Sequence, residues 1–344
     1  MVTPYGRGSE WRRWDPHVHA PGTAREDQFG DWDEYLDAVE GADASIAVMG
    51  VTDYASINTY KTFKGHRDAG RMENIVFAFP NIEFRVSPET RDSKGINLHL
   101  LVSPDDTDRV ERIDEALTRL KIKRNDTDIS CTRNGLVRLG LIAKPHLRTG
   151  AEAAYAEGVN QFKIDLDVFR VWFETEEWLR NNALVAVQAG SEDGAAGLTD
   201  SGYVTTRREI YRFAHIVFSG NPAEREAWLG RGGIRPKEFA HLRGHKPVVH
   251  GSDAHSIANL FNPAKQRYCW IKADPTFEGL RQILYEPDDR VWIGDAPPNA
   301  DDVRAVIDSI TLPTHHFAAP RRPRRQHAVV QDQVDPGPRH EHRQ

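Results

Sequence analysis

The sequence predicts an α/β fold built on a mainly parallel sheet, either open or closed into a barrel. Short runs rich in Val, Ile and Phe alternate with longer amphipathic segments, and this β/α order holds along the chain. The 344 residues suffice to bury a full core, and 28% charged with 39% hydrophobic residues is typical of a soluble globular protein. Periodicity alone leaves the open sheet and the barrel as alternatives.

The predicted strands are apolar runs that mostly end in turn-forming residues. In chain order they are WDPHVHA, SIAVMGVTD, IVFAFPNIEF, INLHLLVS, GLIAKPH, ALVAVQAG, HIVFSG and KPVVHGSD. Amphipathic patterns between them predict helices at DWDEYLDAVEGA, DRVERIDEALTRLK, DLDVFRVWFETEEWLRNN and TRREIYRFA. The alternation of the two element types is what favours parallel strands joined by crossover helices.

Composition divides the chain into a domain at 1–312 and a tail at 313–344. The tail is dense in Pro, Arg, His and Gln without a period, which predicts disorder. The net charge is −6 and the tail is basic, so the acidic domain is not expected to bind nucleic acid by bulk charge. No apolar run approaches the ~20 residues of a membrane span, and the N-terminus lacks a signal-peptide core, so we expect a cytoplasmic protein.

Histidines and carboxylates recur at the ends of the predicted strands. They are His17, His19, Asp53, Glu83, His99, His146, Asp253 and His255. In β/α folds the carboxyl ends of strands are where sites are built, and residues at i and i+2 of a strand share a face. Imidazole and carboxylate ligands without thiolate suit zinc, manganese or iron, and spacing does not separate these.

Each of these residues alone also has an ordinary structural interpretation. A single strand-end histidine such as His99 is more often hydrogen-bonded than metal-bound. Glu83 could pair with Arg85, while Asp53 could cap the helix that begins around Ser56. Eight such residues in the same position relative to their strands favour a site for more than one metal ion.

The ordered set resembles the PHP (polymerase and histidinol phosphatase) superfamily of metal-dependent phosphoesterases. The shared elements are HxH, TD after the second strand, a Glu, two separate histidines and a final SDAH, over roughly residues 10–295. The stretches GSEWRRWDPHVHAPGT, GVTDYASINTYK, HGSDAHS and YCWIKADPTFEGLRQILYEP are similar to the N-terminal region of TrlF-like proteins. Those proteins join a PHP domain to an SMC-like ATPase that is linked to DNA repair. The resemblance implies a distorted seven-stranded β/α barrel with metal ions at the carboxyl face of the strands.

The resemblance also implies which residues bind the metal ions. The first ion would be held by His17, His19, Glu83 and Asp253. A second ion would share Glu83 and be held by His99 and His146. The third-ion histidines after HxH and in TDH are missing here, where Tyr54 follows Asp53, so we expect two divalent ions. His255 then contacts the substrate or completes the second site.

The expected reaction is in-line attack of metal-activated hydroxide on a phosphate ester. Asp253 or His255 is the expected proton carrier, and Arg148 the first candidate to bind the phosphate, with Lys144 a weaker one. Monoester and diester substrates remain alternatives, because the acidic domain disfavours broad nucleic-acid binding whereas the resemblance to repair-linked proteins favours a nuclease.

The alternative function is a non-catalytic PHP interaction module of a TrlF-like system with a partner ATPase. The filled ligand positions disfavour it, and amide hydrolysis on a similar barrel ranks last because its lysine-bridged or different histidine pattern is missing. The chain contains no GxxxxGK[ST] phosphate-binding loop, and the resemblance ends near Pro313. A standalone form and a truncated or frameshifted reading frame are both compatible with that ending.

Overall fold

The computed structural model describes residues 10–43, 45–90, 95–199, 201–234 and 236–298. The predicted tail and the predicted domain boundary at residue 312 lie outside the described residues. Strands are β1 (Trp11–His19), β2 (Ile46–Tyr54), β3 (Phe77–Ser87), β4 (Ile96–Val102), β5 (Lys121–Arg124), β6 (Thr127–Ser130), β7 (Lys163–Asp165), β8 (Ala183–Gln188), β9 (Ile216–Phe218), β10 (Val248–Val249), β11 (Tyr268–Lys272) and β12 (Val291–Gly294).

Helices lie between most of these strands, as the alternating pattern predicts. They are α1 (Trp32–Glu40), α2 (Asn58–Asp68), α3 (Arg109–Arg119), α4 (Arg133–Ala143), α5 (Ala151–Gln161), α6 (Leu166–Thr175), α7 (Glu177–Asn182), α8 (Val204–Phe213), α9 (Pro222–Trp228), α10 (Pro236–Leu242), α11 (Phe277–Gln282) and α12 (Pro287–Arg290). Within the described ranges, no helix combines the length and apolar character that a membrane span needs.

One mixed sheet organises the molecule. Nine strands follow one another in the order β10-β9-β8-β4-β3-β2-β1-β11-β12, and β7 pairs with β3 off this path. The two end strands, β10 and β12, lie next to each other, so the sheet is nearly closed and barrel-like. The predicted α/β class is confirmed, whereas the count of seven strands is wrong because this sheet has ten.

The sheet is less parallel than the sequence predicts. β1, β2 and β3 run parallel, as do β8, β9 and β10. β4, however, is antiparallel to both β3 and β8, and β11 is antiparallel to β1 and β12. The described residues between β3 and β4 contain no helix, and the strand direction reverses from one strand to the next.

The predicted strand GLIAKPH is wrong. Its first residues finish α4, and Pro145–Thr149 forms a 3-10 turn. Within this run Gly140 is buried where α4 packs closely on α5, since a Cβ there would lie 1.8 Å from the carbonyl oxygen of Ala154, whereas Ile142 and Ala143 are exposed on the last turn of α4. A short apolar run does not by itself distinguish a strand from the end of a helix.

The strands that carry the predicted ligands are buried and hold both apolar and polar side chains. Every residue of β2 is buried, as is every residue of β1 after Trp11. A compact cluster that includes Trp14, Phe79, Phe218 and Phe277 packs within the sheet. Polar side chains inside such a core need partners, and this requirement makes the arrangement of the buried histidines informative.

Candidate metal centre

β1 delivers the first pair of imidazoles to the site. His17 and His19 are both buried and stand two residues apart, so they point to the same side of the strand. The strand passes very close to β2 at this point, because Gly50 has no side chain: a Cβ there would lie 2.2 Å from the carbonyl oxygen of Pro16. The ladder between β1 and β2 is irregular between Asp15 and Val18, next to the histidine pair.

The SDAH segment reaches the same place by running alongside β1. The Asp253 N–H donates to the His17 carbonyl at 2.9 Å, and the His19 N–H donates to the Ala254 carbonyl at 3.2 Å. The buried Asp15 carboxylate accepts the Ser252 N–H at 3.0 Å and thereby ties the segment to the strand. Asp253 itself adopts a φ of 50°, a conformation that turns its carboxylate into the site.

Glu83 and His99 enter from the reversed strand pair. They face each other across the antiparallel β3–β4 ladder, and both are buried. Tyr54, the last residue of β2, pairs with Glu83, so the carboxylate lies level with the carboxyl end of β2. The sequence had predicted His99 at a strand end, whereas this register places it in the middle of β4.

Four of the predicted ligands converge on one point. His17 Nε2 lies 3.3 Å from His19 Nε2, 3.4 Å from Glu83 Oε2 and 3.1 Å from Asp253 Oδ1. His19 Nε2 lies 3.7 Å from Glu83 Oε2 and 3.5 Å from Asp253 Oδ1. We call these four residues the ligand cluster.

These separations fit a metal ion. Zinc bound tetrahedrally at ~2.0–2.1 Å requires its ligand atoms to stand ~3.3–3.4 Å apart, which is where the measured values of 3.1–3.7 Å centre. Two imidazoles and two carboxylates also form a donor set that divalent transition metals accept. The residues present therefore fit the first metal ion that the sequence predicts.

His99 has a free lone pair beside the ligand cluster. Its ring lies edge-on to the ring of His17, with 4.5 Å between centroids, and its Nε2 is buried with no hydrogen-bond partner in the described part of the chain. Burial lowers the pKa of His99 to about 3, with a further contribution from the charge of His17, so the ring is neutral. A buried imidazole nitrogen without a partner is costly unless a ligand meets it.

Asn81 determines which nitrogen of His99 carries the proton. The Asn81 amide donates to the Pro16 carbonyl at 2.9 Å and to Thr52 Oγ1 at 3.1 Å. Both amide hydrogens are thereby used, and Oδ1 is left as an acceptor 3.1 Å from His99 Nδ1. His99 must then donate from Nδ1, which leaves Nε2 unprotonated and able to bind a metal ion.

Without a metal ion, the closely spaced imidazoles and carboxylates of the ligand cluster shift one another's pKa values. Although burial favours the neutral ring, the carboxylates of Asp253 and Glu83 raise the pKa of His17 to about 10. Burial likewise opposes ionisation of Glu83, but hydrogen bonds from His17 and His19 hold the pKa of this carboxyl well below its usual range. Protons on the imidazoles thus supply the positive charge that a bound metal ion would otherwise supply.

His255 lies at the edge of the ligand cluster. Its Nε2 is 3.6 Å from Asp253 Oδ1 and 3.5 Å from the Tyr54 hydroxyl, and its ring stacks on His19 with 4.1 Å between centroids. His19, Asp253 and His255 form a second set of ligand atoms that lie within 4.8 Å of one another, beside His17, His19 and Glu83. The Tyr54 ring also stacks on His19, with 4.8 Å between centroids, and lies 6.3 Å from the ring of His255.

Two residues predicted as ligands take other positions. The buried Asp53 carboxylate accepts the Tyr54 N–H at 2.9 Å and the Thr59 N–H at 3.3 Å, so it caps the start of α2. His146 is exposed on the 3-10 turn after α4 and belongs to neither set of ligand atoms in the described ranges. Its assignment to the second ion remains a prediction without support from this geometry.

The predicted phosphate-binding cations are also placed away from strand ends. Arg148 is exposed on the same 3-10 turn as His146, and Lys144 forms an ion pair with Glu157 at 2.7 Å. Both assignments rested on GLIAKPH being a strand, and the structure shows α4 there.

Several residues near the ligand cluster were not among the site residues predicted from the sequence. They are Asp15, Arg25, Asn81, Arg85 and His250. Burial lowers the pKa of His250 to about 4, and the charge of His17 contributes to this shift. The signal for His250 was available, because it directly follows β10 in VVHGSD.

Comparisons with known proteins give structural similarities only. No family model matches the sequence, and no curated protein matches it. A crystal structure from Bifidobacterium adolescentis, described provisionally as a metal-dependent phosphoesterase, has a TM-score of 0.41 and 14% identity over 80% of this chain and 97% of its own. The lesion-specific endonuclease PfuEndoQ from Pyrococcus furiosus has a TM-score of 0.42 and 12% identity over 83% of this chain and 58% of its own. With TM-scores below 0.5, these similarities do not decide the function of this chain.

Proposed function

We propose that this protein is a metal-dependent phosphoesterase of the PHP type. The observation that carries the proposal is the ligand cluster, in which two imidazole nitrogens and two carboxylate oxygens stand 3.1–3.7 Å apart with the unpartnered Nε2 of His99 beside them. Hydrolysis of phosphate esters is the chemistry for which proteins commonly use paired divalent ions held by such ligands.

The residues divide into two binding roles. His17, His19, Glu83 and Asp253 would hold the first ion, and Glu83 with His99 would hold the second. When bound, a pair of divalent ions lowers the pKa of water and polarises the phosphoryl oxygens. Glu83 suits the shared position, because its Oε2 lies within 3.7 Å of both imidazoles of β1 while its strand neighbour is His99.

The protein's own groups supply the proton transfer. The Asp253 side chain is 60% exposed, so water and substrate can reach its free oxygen. His255 Nε2, 3.6 Å from Asp253 Oδ1, is placed to carry a proton to the leaving-group oxygen. The Tyr54 hydroxyl, 3.5 Å from the same nitrogen, orients the ring of His255.

The test combines metal content with a panel of substrates. Purified protein reconstituted with manganese or zinc is expected to bind close to two ions per chain and to hydrolyse p-nitrophenyl phosphate, its bis ester, or single- or double-stranded DNA or RNA. His19→Ala should lose both properties, whereas the exposed His241→Ala on α10 should keep them. Metal uptake without hydrolysis of any member of the panel would favour the non-catalytic interaction module, and failure to take up metal would refute the proposed centre.

A further inference from the structure

We propose that Arg25 and Arg85 form an anion site beside the ligand cluster that binds the non-bridging oxygens of a terminal, dianionic phosphate. We call these two residues the arginine pair. The assignment deepens the proposed function and rests on it for the identity of the substrate. It replaces Arg148 and Lys144, which the sequence had suggested for this role.

Arg25 lies close to the ring of Tyr54, which itself contacts the ligand cluster. It lies in the loop that follows β1, and its Cζ is 5.7 Å from the centroid of the Tyr54 ring. The Tyr54 ring in turn stacks on His19 at 4.8 Å. Arg25 Nη1 is buried and has no hydrogen-bond partner among the described residues.

The acidic residues near Arg25 do not neutralise it. Asp27, two residues further on, uses its carboxylate to accept the Gly22 N–H at 2.7 Å and the Phe29 N–H at 3.2 Å. The Asp27 carboxylate is therefore bound to backbone N–H groups of its own loop and does not satisfy Arg25 Nη1. An unmet buried donor is costly and is normally avoided unless a ligand completes the bonding.

Arg85 lies on the strand that also carries Glu83 of the ligand cluster. It stands two residues beyond Glu83 on β3, so the two side chains share a face of the strand. Its Nε is likewise buried without a hydrogen-bond partner in the part of the chain that the structure describes. Burial and the carboxylates of Glu83 and Asp253 raise the pKa of the Tyr54 hydroxyl, and the charges of Arg25 and Arg85 both oppose this rise.

Several arginines elsewhere in the described ranges pair with carboxylates. Arg71 pairs with Glu40 at 2.7 Å, Arg119 with Glu176 at 2.7 Å, and Arg231 with Asp288 at 2.6 Å. The arginine pair has no such carboxylate partner among the described residues, although Glu83 and Asp253 are nearby. Those two carboxylates are already engaged with the imidazoles of His17 and His19.

The charge balance favours a terminal phosphate over an internal diester. With two divalent ions bound, the carboxylates of Glu83 and Asp253 neutralise only half of the metal charge, and the arginine pair adds two more positive charges. A phosphomonoester carries two negative charges at neutral pH, whereas a diester carries one and covers a second oxygen with its other substituent. Guanidinium groups bind free phosphate oxygens through paired, charge-assisted hydrogen bonds.

The test measures binding of inorganic phosphate by calorimetry to the metal-loaded protein, with metal content determined separately. Arg25→Gln and Arg85→Gln should each weaken phosphate binding about 10-fold to 100-fold. The exposed Arg138→Gln on α4 is the matched control and should bind phosphate like the wild type. Because the buried nitrogens have no partner to lose, both variants should melt at the wild-type temperature or above it.

The outcomes separate this site from the proposed function. The KM for p-nitrophenyl phosphate should rise more in both variants than the KM for bis(p-nitrophenyl) phosphate. An equal rise for the two esters would overturn the assignment to a terminal phosphate. Unchanged phosphate affinity in both variants, or a fall of several degrees in their melting temperature, would overturn the arginine pair even if the wild type is an active phosphoesterase. Weakened phosphate binding in a protein that hydrolyses no ester would support the pair and refute the enzyme.

Discussion

Replacing Asn81 with leucine is expected to weaken binding of the second metal ion by about 10-fold to 100-fold, the usual effect of removing a partner that orients a metal-binding histidine. Leucine has the same branched arrangement of heavy atoms as asparagine but leaves His99 Nδ1 without its acceptor at 3.1 Å. The ring can then protonate on either nitrogen, and the form with a proton on Nε2 cannot bind metal. A tenfold loss corresponds to about 1.4 kcal/mol of binding free energy.

The same substitution should also destabilise the fold. Asn81 donates to the buried Pro16 carbonyl and to Thr52 Oγ1, and leucine leaves both without this donor. At about 1–3 kcal/mol for each buried group left unsatisfied, the free energy of unfolding should fall by roughly 2–6 kcal/mol. Asn81→Asp separates the two effects, because it keeps an acceptor for His99 but loses both donors.

The assay therefore has two parts. Nitrogen-15 NMR of metal-free protein reports which imidazole nitrogen of His99 is protonated, and competition with a chromogenic chelator reports metal affinity. The wild type and Asn81→Asp should show protonated Nδ1 and similar affinities, whereas Asn81→Leu should lose both. Wild-type protein with the proton on Nε2, or unchanged metal affinity in Asn81→Leu, would refute the reasoning.

The remaining predictions concern the ligands, the backbone packing and the response to pH. His17→Ala and Asp253→Ala should each remove most of the tightly bound metal, and the double variant should lose little more, as elemental analysis will show. Gly50→Ala should destabilise the protein by several kcal/mol because its Cβ would lie 2.2 Å from a backbone oxygen, whereas Gly65→Ala on α2, with open space around it, should be neutral or stabilising in denaturant titrations. Burial lowers the pKa of His215 to about 4, so its contribution of about 2–3 kcal/mol is complete above pH 6.5 and is lost as the pH falls towards 4. His215→Asn keeps an acceptor for the backbone and should lose less stability than the wild type between pH 7 and pH 4.5; an equal loss would exclude His215 as the source.

The residues of the ligand cluster could be predicted from the sequence, whereas the strand directions and registers that bring them together could not. His17 and His19 share a face because a strand has a period of two, and this is readable without a structure. Glu83 and His99 meet through the register of two antiparallel strands, which depends on the turn between them and leaves no local pattern. His146 was assigned to a strand end because the short apolar run at residues 141–143, which ends α4, also fits a strand.

The residues that the sequence missed have roles set by tertiary contacts. Asn81 looks like any strand asparagine until its three hydrogen bonds are known. Arg25 lies in a loop whose conformation is fixed by backbone hydrogen bonds to Asp27, and no periodicity indicates that its guanidinium turns towards Tyr54. Such residues are found by asking which buried polar atoms lack a partner.

The hydrogen bond between the Ser252 N–H and the Asp15 carboxylate joins residues that are 237 positions apart in the chain. During synthesis at about 5–20 residues per second, β1 waits on the order of 10–50 s before the SDAH segment is made. Until then His17 and His19 lack the Asp253 carboxylate, so the growing chain offers metal ions only an incomplete set of ligands. Metal loading is therefore expected to follow completion of the sheet, and a metal ion that requires all four ligands should stabilise the finished domain without accelerating its early folding.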